Sequence, residues 1–220
     1  MVTARVTRKA EILKTLADML SQPQAARITT AALAARIPVS EAALYRHFAS
    51  KAQMFEGLIA EIEASLYSQM DDILASQDAG VGQVRRMVTT LLEFACSHRG
   101  KTRVLTGDAL VTEDNRLVER VNQISARIRD SLTRAVRHGV ADGSLPSATD
   151  PWLVAGVLTH FVAGKWVRFA QSGWQYSPQA DLAAELDWLL ARRHLNDGGR
   201  PDTPVRHLND GGRPDSPGRA

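Results

Sequence analysis

ITTAALAARIPVSEAALYRHFASKAQMFEGLI, residues 28–59, is the stretch whose reading decides the fold. Ala31 to Arg36 is a run of helix formers, and Thr29 or Thr30 ahead of it can cap an N-terminus. Pro38 disfavours helical geometry at Ile37 and breaks the hydrogen-bond ladder, so the helix stops there. Ser40 caps a second short helix over Glu41–His47, with Glu41 well placed in its first turn. Ser50-Lys51-Ala52-Gln53 has the form of a capping box and opens a further helix. Two short helices joined by a tight turn make a helix-turn-helix, whose second helix has the dimensions to enter a DNA major groove.

Spacing assigns the faces. Val39, Leu44 and Phe48 point inward with Leu33 and Ile37, which leaves Glu41, Ala42, Ala43, Tyr45, Arg46 and His47 near or on the outer face. A solvated surface helix would also show charge there. Ala42 and Ala43 argue against that, because small residues let a helix approach base edges and touch thymine methyls. Thr30, Tyr45 and His47 can each hydrogen-bond to phosphate, and Lys51 stands at a helix N-terminus, where anions are favoured. The candidate DNA-binding set is therefore Thr29, Thr30, Ser40, Glu41, Ala42, Ala43, Tyr45, Arg46, His47 and Lys51.

Charge agrees with this placement. The whole chain carries only +3, but residues 1–60 hold eight basic and four acidic side chains, against 14 and 16 over residues 61–192. The positive excess sits where phosphate binding needs it.

The remaining elements are read in chain order. With 44% apolar residues, the 220-residue chain can form one ordinary domain or two small ones around a packed core. A first helix runs over about 7–21 with Ile12, Leu13, Leu16, Ala17 and Leu20 on one stripe, preceded by a mobile start that offers Arg5, Arg8 and Lys9 to the DNA backbone. Lys51 to about Ser76 is one long helix, the mechanical connection between a DNA-binding end and a second domain. Asp78–Gly82 reads as an interhelical turn, not a phosphate loop, since no strand precedes it. Helices are expected over about 83–97, 101–112 and 114–137, the last closed by a glycine stop at His138-Gly139. Asp150-Pro151 opens another to about 171, and Ser177-Pro178 opens a ninth to about 192. The fold class is all-α, with domains over 1–50 and 51–192.

Those two final helices are more apolar around their circumference than surface helices of a monomer should be. Burial in one subunit is one explanation. The other is a two-fold homodimer interface, a four-helix bundle built from residues 150–171 and 178–192 of both chains. One helix-turn-helix reads only a half-site, so a dimer and a palindromic double-stranded DNA site go together.

Several classes are set aside. No apolar run approaches the roughly 18 residues of a membrane helix, and no signal-peptide core opens the chain, so a cytoplasmic, nucleoid-associated protein is expected. Cys96, the single cysteine, sits among Leu91, Leu92, Phe94 and Ala95 and reads as a buried structural thiol. His160 with Lys165, or Asp108 with Glu113 and Asp114, lacks the spacing of a catalytic or metal constellation, so no enzyme, metal or cofactor is expected. Residues 193–205, RHLNDGGRPDTPV, recur at 206–218 as RHLNDGGRPDSPG, a polar repeat with no stripe to bury and expected to be disordered.

The motif LYRHF followed by a Lys-led helix resembles the DNA-binding domain of the TetR family of bacterial transcriptional regulators. RITTAALA (27–34), VSEAALYRHFASK (39–51), MFEGLI (54–59), LTGDAL (105–110) and RVNQI (120–124) are similar, more narrowly, to its nucleoid occlusion members, over about residues 5–192. That resemblance implies many palindromic chromosomal sites and a partner, the tubulin-like division protein FtsZ. It also implies a partner surface near the groove between the long helix and the next, with candidates Gln69, Asp72, Glu93, Ser97, His98, Arg99 and Arg103. The chain departs from the family pattern at Gln69, where an arginine is expected, and at Glu93, where a small residue is. The alternative within the family is a repressor whose small-molecule ligand fills a cavity lined by Phe94, Trp152, Phe161 and Trp166 and tilts the long helix; those four could equally be core.

Overall fold

The computed structural model describes residues 2–23, 28–111 and 113–191, with side chains from Arg8 onward. The tandem repeat at 193–220, Arg27 and the side chain of Arg5 lie outside the described residues. What is described is all helix: α1 (Val2–Leu20), α2 (Thr30–Arg36), α3 (Glu41–Tyr45), α4 (Lys51–Ala75), α5 (Gly80–Ser97), α6 (Arg99–Leu105), α7 (Asn115–Ala141), α8 (Pro151–Gln171) and α9 (Leu182–Leu190), with a 3-10 turn at Asp108–Leu110.

Local chemistry builds the first third as expected. Thr29 Oγ1 accepts from Ala32 N at 3.1 Å, Ser40 Oγ from Ala43 N at 3.2 Å and Ser50 Oγ from Gln53 N at 3.1 Å, so all three caps form. Gln53 Oε1 returns the favour one residue early, accepting from Ala49 N at 2.8 Å. The α1 stripe Ile12, Leu13, Leu16 and Leu20 is buried with Leu33, Ile37, Leu44 and Phe48. Helix α3 ends at Tyr45, two residues sooner than the sequence suggested, and α1 begins at Val2, five residues sooner than expected and within the stretch expected to be mobile.

Helix α4 continues the same core. Met54, Phe55 and Leu58 close it under the helix-turn-helix, while Ile62, Leu66, Met70 and Ile73 extend it along the second half of the helix, all buried in one cluster that runs from Ile12 to Leu186. At about 1.5 Å per residue the helix spans nearly 40 Å. Helix α7 and its lead-in run parallel to it, tied by three ion pairs in order: Lys51–Glu113 at 2.5 Å, Glu63–Arg120 at 2.6 Å and Asp71–Arg127 at 3.1 Å.

Two glycine assignments are corrected. Gly80 does not sit in a turn and Gly139 does not end a helix. Gly80 opens α5, and a Cβ there would lie 1.9 Å from Gly139 N, inside α7, so the two helices cross backbone on backbone. Helix α7 therefore runs on to Ala141. With no side-chain cap at Ala79, α5 takes its partners from far along the chain: Gly80 N donates to Asp142 Oδ2 at 2.7 Å and Val81 N to Ser144 Oγ at 3.1 Å. The hydrogen bonds from Ser144 and Gly80 hold the Asp142 carboxyl below its usual range. The expected helix over 101–112 is instead α6 plus the 3-10 turn, because Gly107 adopts φ +83° and breaks it.

Helix α8 starts on its expected cap, with Asp150 Oδ1 accepting from Trp152 N at 2.9 Å and Leu153 N at 3.2 Å. Its inner side locks to α5 through Trp166 Nε1, which donates to Leu91 O at 3.0 Å. Lys165 ties it to α9 through Glu185 at 2.5 Å. The ninth helix begins at Leu182, later than the expected start near Ser177, after a turn in which Asp181 takes φ +58°.

Candidate nucleic-acid interface and partner groove

The short helix α3 presents what the spacing predicted. Leu44 is fully buried, and Glu41, Ala42, Tyr45 and Arg46 are exposed, whereas Ala43 and His47 are half-buried. Ala42 is thus the small residue that faces fully outward. Thr29 and Ser40 cap through lone pairs, which leaves each hydroxyl hydrogen for a phosphate. Thr30 Oγ1 instead donates to Glu41 Oε2 at 2.7 Å, fastening the start of α2 to the start of α3. His47 turns Nδ1 inward to a buried position without a hydrogen-bond partner. Lys51 is the largest departure from a bare phosphate contact, since Glu113 already holds it.

This geometry separates an exposed helix edge from a row of capped helix fronts. Ala42, Tyr45 and Arg46 form an outward edge that can reach bases, while the caps at the fronts of α2, α3 and α4 offer hydroxyls and N-terminal dipoles. Ala42→Leu should therefore cost at least tenfold in affinity for a specific site and little on unrelated duplex, since one bad base contact is worth about 1–3 kcal/mol. Competitive gel-shift titration measures both, and an equal loss on both duplexes would move Ala42 away from the bases.

The partner candidates do not form one patch. Ser97, His98 and Arg99 line a groove of about 440 Å³ between α1 and the α5–α6 junction. His98 stacks on Phe94 with ring centroids 4.5 Å apart. Gln69, Asp72 and Glu93 are exposed, but Gln69 turns back to hydrogen-bond Ser65 at 3.0 Å. Arg103 leaves the set. It is buried against the Trp174 ring, donates to Pro23 O at 3.3 Å, and its pKa is lowered by that burial. Sequence reasoning missed Lys14, Asp18, Glu61 and Lys101, which complete the groove. They come from three separate segments, so no local pattern could have joined them. Cys96 is half-buried in the groove wall, less enclosed than expected, and burial still pushes its thiol up.

The four aromatics considered for an effector cavity do not converge either. Phe94 and Trp166 are core, Trp152 is half-exposed on the outside of α8 under the Arg129 guanidinium, and Phe161 lines a surface cleft with Trp188. The outward side of α8 and α9 instead shows Leu153, Val157, Val167 and Trp188, the last two at 37% and 65% exposure. Among the described residues no helix is long and apolar enough to cross a membrane.

An outward α3 on a capped helix-turn-helix, joined by a shared long helix to an all-helical second half, defines a TetR-type DNA-binding regulator. Comparisons agree. The family model for bacterial regulatory proteins of the tetR family matches residues 12–58, and that for the SlmA-like tetracyclin repressor-like C-terminal domain matches residues 78–196. The nucleoid occlusion factor SlmA of Cronobacter sakazakii is 43% identical over 191 residues, covering 86% of this chain and 96% of its own. That of Vibrio cholerae is 43% identical over 179 residues, covering 81% and 91%. Among solved structures, the regulator FadR from Bacillus subtilis superposes with TM-score 0.70 at 12% identity, covering 83% of this chain and 97% of its own; it shares the fold. The chain belongs to the SlmA family of nucleoid occlusion factors, a branch of the TetR regulators.

Proposed function

We propose that this protein works as a homodimer that holds two copies of α3 against successive major grooves of palindromic chromosomal sites and, so bound, opposes FtsZ polymers over the nucleoid. The observation that carries the reading is the reach of the family likeness: the 43% identity is taken over 191 residues, 86% of the chain, and the SlmA-like model matches residues 78–196, the half in which TetR-type regulators differ most in what they respond to. The dimer is supported by the outward apolar side of α8 and α9, where Ala163 and Gly164 are exposed and a Cβ on Gly164 would meet nothing within 4 Å. That open, small-residue stretch suits close approach of a second copy. For the division protein, the groove bearing Ser97, His98 and Arg99 is the docking place, with Arg99 the charge that a carboxylate-bearing peptide would meet.

The test is a map of bound DNA across the chromosome together with FtsZ sedimentation. Dozens of similar palindromes, absent from the last-replicated region, and a loss of FtsZ polymer only when site-bearing duplex is added are the expected results. Arg99→Glu should keep DNA affinity and reduce the FtsZ effect at least fivefold. One or two promoter sites, with no effect on FtsZ, would make this a conventional repressor.

A further inference from the structure

Lys51 stands at the front of α4, where a phosphate would be met, yet its Nζ lies 2.5 Å from Glu113 Oε1 in the lead-in to α7. The side chain is folded back along its own helix, with Nζ 5.6 Å from the Phe55 ring. Glu113 is only 10% exposed and Lys51 22%, so solvent and salt screen this pair less than a rim contact. Arg116, the nearest cation to Glu113 in sequence, is engaged by Asp114 at 2.7 Å.

We infer that Glu113 is an affinity-setting residue for DNA: its carboxylate occupies Lys51 in the free protein as a phosphate oxygen would in the complex, and duplex binding exchanges one for the other. This rests on the DNA-binding reading of α3 and α4. The exchange weakens binding to every duplex alike, because a phosphate contact carries no sequence information. It also blunts the salt dependence, since a freed Glu113 takes up a cation while the neutralised phosphate releases one. The other two ties between α4 and α7, Glu63–Arg120 and Asp71–Arg127, lie farther along α4 and are not needed for the exchange. Only the segment between the 3-10 turn and α7 is let go, so DNA occupancy is registered first in the second half of the molecule at Glu113. Conversely, anything that draws Glu113 away from Lys51 tightens DNA binding by the same factor.

Full-length protein titrated against a site-bearing and an unrelated duplex over a series of salt concentrations tests this. Glu113→Gln is expected to tighten binding to both by about five- to tenfold at low salt, the scale of one charge-assisted contact. The slope of log K against log salt should steepen by up to about 0.9. Lys51→Ala should weaken both duplexes, and adding Glu113→Gln to it should then change nothing. Were Glu113→Gln unstable by circular dichroism, Glu113→Asp, one methylene shorter, should shift affinity in the same direction by less. If Lys51→Ala weakens binding but Glu113→Gln leaves it unchanged or weakens it too, Glu113 merely positions Lys51 and the exchange is wrong. If Lys51→Ala affects neither duplex, the phosphate contact itself is wrong, and the inference falls with it.

Discussion

Leu153→Glu combined with Val157→Glu will leave the subunit folded, render it monomeric and cut affinity for a palindromic site by at least about 100-fold. Both side chains are exposed on α8, at 63% and 45%, so neither substitution disturbs the core of one copy. In a two-fold bundle each carboxylate would instead be buried against an apolar partner surface, twice over, where an unpaired charge is not tolerated. The loss on DNA follows from linkage: joining two half-site contacts multiplies affinity by roughly 10² to 10⁴ without any new contact. Light scattering gives the mass and a gel shift the affinity. A variant that stays dimeric with full affinity would put the interface elsewhere and leave the apolar side of α8 and α9 without a role.

Gly100→Ala should lower stability by about 3 kcal/mol, at the severe end of overpacking costs. A Cβ at Gly100 would lie 1.9 Å from Ala17 O and 2.7 Å from Ala17 C, both backbone atoms with no rotamer to escape into. Helix α1 and helix α6 must therefore separate. For a chain of this size that corresponds to a fall of roughly 6–12 °C in melting temperature. The substitution also opens one wall of the groove that holds Ser97, His98 and Arg99. Scanning calorimetry measures the effect, and an unchanged transition would mean that the two helices do not cross at this point. Gly107→Ala makes a useful comparison, since nothing lies within 4 Å there and only its φ of +83° opposes the change.

What could be read in the sequence was what depends on neighbours. Thr29, Ser40, Ser50 and Asp150 act as caps within two or three residues of themselves; residue type and position single out the last three and narrow the first to Thr29 or Thr30. The stripes of α1 and α4 follow from periodicity alone, as does the excess of apolar residues on α8. Contacts across the chain were hidden. Gly80 and Gly139 read as a turn and a stop because glycine is a poor helix former; their use at a helix crossing depends on a partner 59 positions away. Arg103 has the composition of a surface charge, and only Trp174, folded over it, takes it out of the partner set. Lys51 reads from sequence as a cation at a helix front, but Glu113, 62 residues on, carries no mark of being its counter-ion.

The unbroken core under α4 has a thermodynamic consequence. Because the buried cluster passes from Ile12 through Leu66 to Leu186, the DNA-binding end shares its apolar core with the second half, and the two are expected to unfold together. Ligand linkage then acts on the whole chain: duplex at 100 times its dissociation constant adds about 2.7 kcal/mol to the unfolding free energy of every helix, including those that never approach DNA. All four tryptophans lie between residues 152 and 188, far from α3 along the chain. Their fluorescence should thus report the denaturation of the DNA-reading end as faithfully as a probe placed on it.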